Sequence, residues 1–515
     1  MNRDAALDVV RGVNSKFDVV VIGGGATGAG VALDAASRGL RVLLLERGDF
    51  GSGTSSRSTK IIHGGVRYLA QGRIGLVREA LAERAYLLSN ASHLVAPLPF
   101  VIPAENNFER AKYFIGLKLY DFLSGKQRPH SCDWLSRENL RRELPGLNET
   151  IFCGAMRYFD GQFDDTRLLL AILETATDLG ALAINYAEVI EVHKNSTGRL
   201  NALTFRDGET GMVHEIETSG IVNATGPFSD ALLKLDEPGH CQTILPSQGA
   251  HIVLPGDFLP GTSALLMPHT PDGRIMFAIP WLNHVLVGTT DTAVDIVAKD
   301  PIPLASEIEM ILHVTAQYLT RVPQHSDVLA SFAGIRPLAL APSQSQTSKV
   351  SREHRIDVLK SGMVSVSGGK WTTYRLMAEQ CVDTLISSNN WSAERSKTAQ
   401  MRLHATPPLG TSDNRFSEYG NHAQELEELV LKEPAFDDLL CDALPYRKVH
   451  CVWAVRREMA RTIEDVLARR TRALFLNEAA ALKAAPQVLE ILTRELGLTK
   501  SQQQKQLQDF HNLTN

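Results

Sequence analysis

The sequence predicts an α/β fold, α+β overall, with a parallel nucleotide-binding sheet, a second antiparallel sheet and a helical C-terminal region. Three patterns carry that reading. A strand, a glycine turn, a helix and a second strand follow one another across residues 17–46. Segments near residues 275–287 have the length and spacing of antiparallel strands around a turn. Beyond residue 400 the apolar positions recur at helical spacing. A chain of 515 residues exceeds one ordinary domain, so two or three are expected. A net charge of -5 and a pI near 6.4 argue against a general nucleic-acid binder, which needs a basic surface, but allow a local basic pocket.

Taken in order, Phe17–Ile22 is a nearly unbroken apolar run, as befits a parallel strand covered on both faces. Ala26–Arg38 is rich in small residues and reads as a helix packed closely on the sheet; Gly39 supplies its cap and Val42–Leu45 the next strand. Ala183–Tyr186, Gly220–Asn223 and Val364–Ser367 read as further strands, the last leading through Gly368-Gly369 into a helix from about Thr372 to Leu385. The nucleotide-binding domain is thus expected from residues 16–90, 160–235 and 355–390. A substrate-binding domain is expected from 91–159 and 236–354, and a helical domain from 400–515, after a Pro407–Gly410 linker. In that last region Val452, Val455, Met459, Ile463 and Val466 mark one apolar helical face.

Cys132, Cys153, Cys241, Cys381, Cys441 and Cys451 form no C-x-x-C pair and no zinc-ligand spacing, so reduced thiols and no metal are expected. The N-terminus lacks an apolar signal region and no stretch of 18 apolar residues occurs. A cytoplasmic protein is therefore expected, with peripheral attachment to a membrane left open.

Gly23, Gly25 and Gly28 form a G-x-G-x-x-G motif between the first strand and the helix. The first glycine permits the tight turn, the second the approach of a pyrophosphate, and the third close packing of helix on strand. The helix N-terminus faces the phosphates. Glu46 ends the second strand, where a carboxylate can accept hydrogen bonds from a ribose. The small, hydroxyl-rich run Gly51–Lys60 follows at once, and it is either a flexible surface linker or a loop wrapping a cofactor. Its position, in a fold that starts almost at the N-terminus, favours FAD over NAD.

From Ser55 to Leu69, through Arg57, Lys60, His63-Gly64-Gly65 and Arg67-Tyr68, the sequence resembles the FAD-dependent, aerobic-type glycerol-3-phosphate dehydrogenases. The likeness continues through Asn223–Pro227, Gly249–Val253, Ile279–Trp281, Gly288–Asp291, Ala333–Leu338, Ser351–His354 and Gly368–Arg375. Ala454–Glu458 and Leu467–Thr471 are similar to that family's helical cap. The resemblance implies an FAD-binding Rossmann-like domain of the glutathione-reductase/D-amino-acid-oxidase type, an antiparallel-sheet substrate domain and a helical C-terminal cap. Residues 105–150 are less familiar, and Trp371 stands where a smaller or aliphatic residue is expected. The calcium loop of the mitochondrial members has no counterpart in 400–515, so a bacterial-type enzyme is expected.

The resemblance further implies oxidation of sn-glycerol 3-phosphate to dihydroxyacetone phosphate by hydride transfer from C2 to tightly, non-covalently bound FAD. The electrons then pass to a membrane quinone. Oxygen as acceptor, as in glycerophosphate oxidases, remains an alternative, as do an amino-acid or amine oxidase and a non-catalytic flavin scaffold. The cofactor residues would be Gly23, Gly25, Gly28, Glu46, Thr54, Ser55, Ser58, Thr225, Gly226, Gly369 and Thr372. Arg67, Tyr68, Arg352 and Lys370 would bind the substrate, because a phosphate needs cations. Arg is always protonated, so Arg336 is read as a stabiliser of the alkoxide. His251 or His63 would take the proton unless each is a structural histidine. Thr289-Thr290-Asp291 reads as a structural turn. Residues 447–472 hold eight basic side chains against three acidic ones. They form either a face for anionic lipid on the inner side of the cell membrane or a solvated helix surface. A homodimer is left open.

Overall fold

Lys16–Ile22 lies at the centre of an eight-stranded sheet, parallel to Val42–Leu45 on one side and to Val213–Asn223 on the other. Val19, Val20 and Val21 are fully enclosed, the burial that an all-apolar strand needs on both faces. The computed structural model describes residues 1–12, 15–271, 273–340, 354–408 and 415–514. Leu182–Ile184 extends the sheet beyond Val42–Leu45; Val364–Gly368 and then His354–Val358 extend it beyond Val213–Asn223. Ala26–Ser37, Asp165–Asp178 and Tyr374–Asn389 cover one face and share its apolar core. Three separated stretches of chain therefore meet in one sheet, placing the Gly23–Gly28 turn, Thr225-Gly226 and Gly368-Gly369 at the same strand ends.

A second, ten-stranded sheet is mostly antiparallel. Ile244–Pro255 and Ala330–Ala339 pair over ten residues, with Ser247 opposite Arg336 and His251 opposite Phe332. Met276–Trp281 and His284–Gly288 form the expected hairpin. Gly154–Phe163 runs through the expected 159/160 boundary, and Ile61–Ile62 pairs with its end. The segment after the glycine turn thus contributes a strand to the second sheet, which carries His63 to the seam between the two.

The C-terminal region is helical, but the face from Val452 to Val466 is not one helix. Lys448–Glu458 stops at Met459, whose φ of 56° is left-handed, and Asp465–Arg470 is a separate π-helical turn. The basic stretch is divided: Arg456 and Arg457 are exposed and pair with Glu495 and Glu425, whereas Arg469, Arg470 and Arg472 are buried. Asp49, from the loop after the second strand, accepts from both Arg469 and Arg470. Burial pushes its carboxyl up, but Arg470 and Arg469 outweigh burial and hold it below the usual range. Arg472 reaches Asp164 and approaches Asp165 at 3.7 Å.

Apolar exposure lies elsewhere, on the helix Asn107–Ser124. Leu117, Tyr120 and Ser124 point inward, while Phe108, Ile115 and Phe122 are 79%, 68% and 75% exposed. A spacing of seven places those three on one side. Among the described residues, no helix is long and apolar enough to cross a membrane, and the six cysteines are free thiols.

Candidate functional site

Two adjoining cavities lie where the sheets meet. The first, about 410 Å³, is lined by Gly23, Gly25, Glu46, Thr54, Ser55, Thr225 and Gly226. The second, about 310 Å³, is lined by His63, Tyr68, His251, Arg274, Asp291 and Arg336. Thr54, Gly368, Gly369, Lys370 and Trp371 belong to both, so the two are continuous.

The first cavity has the chemistry of a dinucleotide cleft. It opens on the N-terminus of Ala26–Ser37, where helix geometry offers N–H groups and partial positive charge. A Cβ on Gly28 would sit 1.9 Å from the Gly23 carbonyl, so only glycine lets the helix start this close to the turn. Glu46 accepts from the Gly24 and Gly48 N–H groups at 2.6 and 2.8 Å, which fixes its carboxylate at the wall. Burial raises its pKa despite those two bonds. Ser55 Oγ accepts from Ala26 N, and Thr54 donates to the Ile335 carbonyl, stitching the hydroxyl-rich loop to both sheets. Thr225 Oγ1 donates to Asn223. A long, two-ended cleft with an anion-binding helix end and a ribose-height carboxylate fits FAD. Ser58 sits differently: its hydroxyl donates to Asp165 and it lines only the second cavity. Thr372 likewise lines the second cavity, accepting from the His63 N–H.

In the second cavity the paired strands Ala330–Ala339 and Ile244–Pro255 place Arg336 and His251 over glycines. A Cβ on Gly249 would meet the Arg336 guanidinium at 2.3 Å, and one on Gly288 would meet the His251 ring at 2.4 Å. Arg336 donates to the Thr290 carbonyl at 3.0 Å and to Thr289 Oγ1 at 2.9 Å, and lies 3.7 Å from Asp291. The Thr289–Asp291 turn therefore orients the arginine. Asp291 is also paired with Arg274 at 2.5 Å and accepts from Ser247. Among the described lining residues Arg57, Arg274, Arg336 and Lys370 face two carboxylates, Asp160 and Asp291. Asp160 is already engaged by Arg84 and Tyr120. Such a wall favours an anion.

His251 is 2% exposed and stacks on Phe332 with ring centroids 5.0 Å apart. Burial, then Arg336 and Lys60, lower its pKa well below the ordinary value, so the ring is neutral. Its Nε2 meets Thr59 Oγ1 at 2.9 Å, and its Nδ1 is enclosed without a polar partner. His63, half-buried, faces the same cavity. Lys370 Nζ lies 3.9 Å over the Tyr68 ring. Trp371 donates to the Ser55 carbonyl, so the bulky residue pins two cofactor loops together. The Arg67 side chain and all of Arg352 lie outside the described residues.

Sequence reasoning passed over Lys60, Asp165, Thr59 and Arg274. Lys60 is wholly buried, donating to Asp165 at 2.6 Å and to the Ser56 carbonyl at 2.7 Å. Asp165 carries Ser58 as well, and Arg472 approaches it from the C-terminal region. A lysine inside the motif was visible; its partner, 105 residues away, was not. Nothing in the sequence around Arg274 singles it out.

The chain matches the family model "FAD dependent oxidoreductase" over residues 18–380 and that of the "C-terminal domain of alpha-glycerophosphate oxidase" over 384–503. It is 39% identical to the mitochondrial glycerol-3-phosphate dehydrogenase of Homo sapiens, across 96% of this chain and 72% of that one. A probable mitochondrial counterpart from Caenorhabditis elegans is 38% identical with the same coverage. Among solved structures, the glycerol-3-phosphate dehydrogenase from Bacillus halodurans complexed with FAD superposes with a TM-score of 0.80 at 27% identity, covering 99% of this chain and 96% of that one. An FAD-bound L-α-glycerophosphate oxidase from Mycoplasma pneumoniae, 19% identical with a TM-score of 0.57 over 74% and 97% of the chains, shares the fold.

Proposed function

The chain belongs to the FAD-dependent glycerol-3-phosphate dehydrogenases, and from that premise we propose how its own residues run the reaction. The enzyme oxidises sn-glycerol 3-phosphate to dihydroxyacetone phosphate. FAD, when bound, supplies the acceptor for the hydride from C2. The cleft residues Gly23, Gly25, Glu46, Thr54, Ser55, Thr225, Gly226 and Gly369 hold it. Gly28 acts by letting the helix close, and Thr372 by fixing the His63 backbone.

The observation that carries the substrate assignment is the cation-rich cavity opening directly into the dinucleotide cleft. Lys370 and Arg274 hold the phosphate, together with Arg67 and Arg352 on the strength of their motifs. Tyr68 supports Lys370 through its ring face. Arg336, pointed by Thr289 and Thr290, stabilises negative charge developing on the C2 oxygen. The hydroxyl proton passes to neutral His251 by way of Thr59 Oγ1, which lines the cavity and already contacts the ring. His63, lining the same cavity, orients the substrate.

The electron acceptor is a membrane quinone, and the enzyme lies peripherally on the membrane. The apolar face of Asn107–Ser124 supports this, since exposed Phe108, Ile115 and Phe122 suit an interfacial helix. The test mixes substrate-treated enzyme with a soluble quinone or with air, and sediments it with anionic vesicles. Quinone-dependent turnover without peroxide, and co-sedimentation lost in Phe108→Ser/Ile115→Ser/Phe122→Ser, are expected. Stoichiometric peroxide would make the enzyme an oxidase, and unaltered sedimentation of the triple variant would remove the helix from the membrane reading.

A further inference from the structure

His404 and His422 meet head to head where the cofactor domain joins the helical region. Their Nε2 atoms lie 2.6 Å apart, with ring centroids 4.8 Å apart. Each ring is backed at Nδ1 by a carboxylate, His404 by Asp178 and His422 by Glu425 at 2.5 Å. An ionised carboxylate only accepts, so both Nδ1 atoms carry the proton and both neutral rings present a lone pair at Nε2. Two facing lone pairs repel, and only a positive species between them makes the arrangement stable. An imidazole whose far nitrogen donates to a carboxylate is also the usual build of a metal-binding histidine.

The third member is Glu174, on the helix Asp165–Asp178, whose side chain is 8% exposed. One carboxylate oxygen and the two imidazole nitrogens all lie within 4.8 Å of one another.

We propose that Glu174, His404 and His422 form a binding site for a divalent transition-metal ion, with zinc the best match to two imidazoles and one carboxylate. Water would complete a tetrahedron. Zn–N bonds of about 2.0–2.1 Å place two nitrogens roughly 3.3 Å apart, so the rings need to separate by less than about 1 Å. Such an ion would clamp the helix Asp165–Asp178 to the C-terminal region, since His404 and His422 both lie near the start of that region. Its three ligands come from well-separated segments, which is why no metal spacing is visible in the sequence.

The test uses the full-length holoenzyme, stripped with a chelator and dialysed. Zinc content after incubation with zinc and removal of excess is measured by mass spectrometry, alongside the melting temperature. One zinc per chain and a raised melting temperature are expected. Asp178→Asn should weaken binding by about 10–100-fold, the usual loss when a carboxylate behind a ligand is removed. His422→Gln and Glu174→Gln should lose the retained zinc, with flavin content and circular dichroism checking that each variant folds. Should one misfold, a cobalt(II) difference spectrum of the unaltered chain gives an independent reading: tetrahedral ligand-field bands support the site. Zinc uptake unchanged in both variants, no uptake, or octahedral cobalt alone would overturn it. So would a stability that falls as pH rises through the histidine range and ignores added zinc, the mark of a shared proton.

Discussion

Arg469, Arg470 and Arg472 are each 2% exposed or less, and their guanidinium groups are committed to Asp49, Asp465, Glu464, Asp164 and backbone carbonyls. Arg336 lies on a cavity wall, where it donates to the neutral oxygens of Thr289 and Thr290 and has Asp291 at 3.7 Å. Both sets are arginines with apolar neighbours, yet the first welds the C-terminal region to the cofactor domain and the second faces a cavity. Number of charges does not separate them. What separates them is place: the first set is enclosed among carboxylates of the fold, and Arg336 lines a cavity.

That contrast can be broken from either side. Asp49→Asn removes the charge shared by Arg469 and Arg470 and should cost about 3–5 kcal/mol of unfolding free energy, the usual loss on breaking a buried pair. Urea unfolding would measure it, and a loss within about 0.5 kcal/mol would show the network to be ornamental. Arg336→Met should leave stability nearly intact but lower kcat by about 10²–10³, as removal of a transition-state donor does, that is about 2.7–4 kcal/mol. Unchanged kcat would transfer the role elsewhere. Lys370→Met should raise KM by roughly 10–100-fold with a smaller change in kcat, worth about 1.5–3 kcal/mol for a bond to a charged group. The smallest effect concerns His251. Its folded pKa lies well below the ordinary 6.5, so the folded state binds fewer protons. Its contribution is complete above pH 6.5 and is lost as pH falls below that value, at up to about 1.4 kcal/mol per pH unit. A His251→Gln variant should flatten that part of the stability–pH curve; an identical slope would mean the ring is not held neutral by the fold.

Much of the fold was legible because its signals are local. The apolar run Phe17–Ile22, the glycine triplet and the hairpin at 275–287 each specify backbone within a few residues. The motifs around His63, Tyr68, His251, Arg336 and Lys370 also pointed to side chains that share one cavity. What escaped depends on partners distant in sequence. Arg469, Arg470 and Arg472 read as surface until Asp49 and Asp164 arrive from distant parts of the chain. Met459 gives no sign that it will adopt a left-handed conformation and end a helix whose apolar spacing continues past it. Ser58 looks like a cofactor donor in a hydroxyl-rich loop, but its hydroxyl donates its hydrogen bond to Asp165. The apolar face of Asn107–Ser124 falls in the least familiar part of the sequence, and the His404–His422 contact needs two separated turns to meet.

Anaerobic titration of the yellow holoprotein, with glycerol 3-phosphate and with glycerol, tests most directly whether the cavity cations grip a phosphoester next to FAD. Loss of visible flavin absorbance is expected with glycerol 3-phosphate at concentrations on the order of 10²–10⁴ lower than with glycerol, since two or more charge-assisted contacts separate the ligands. Lys370→Met should narrow that gap. Equal bleaching by both compounds, or bleaching by amino acids alone, would contradict the account.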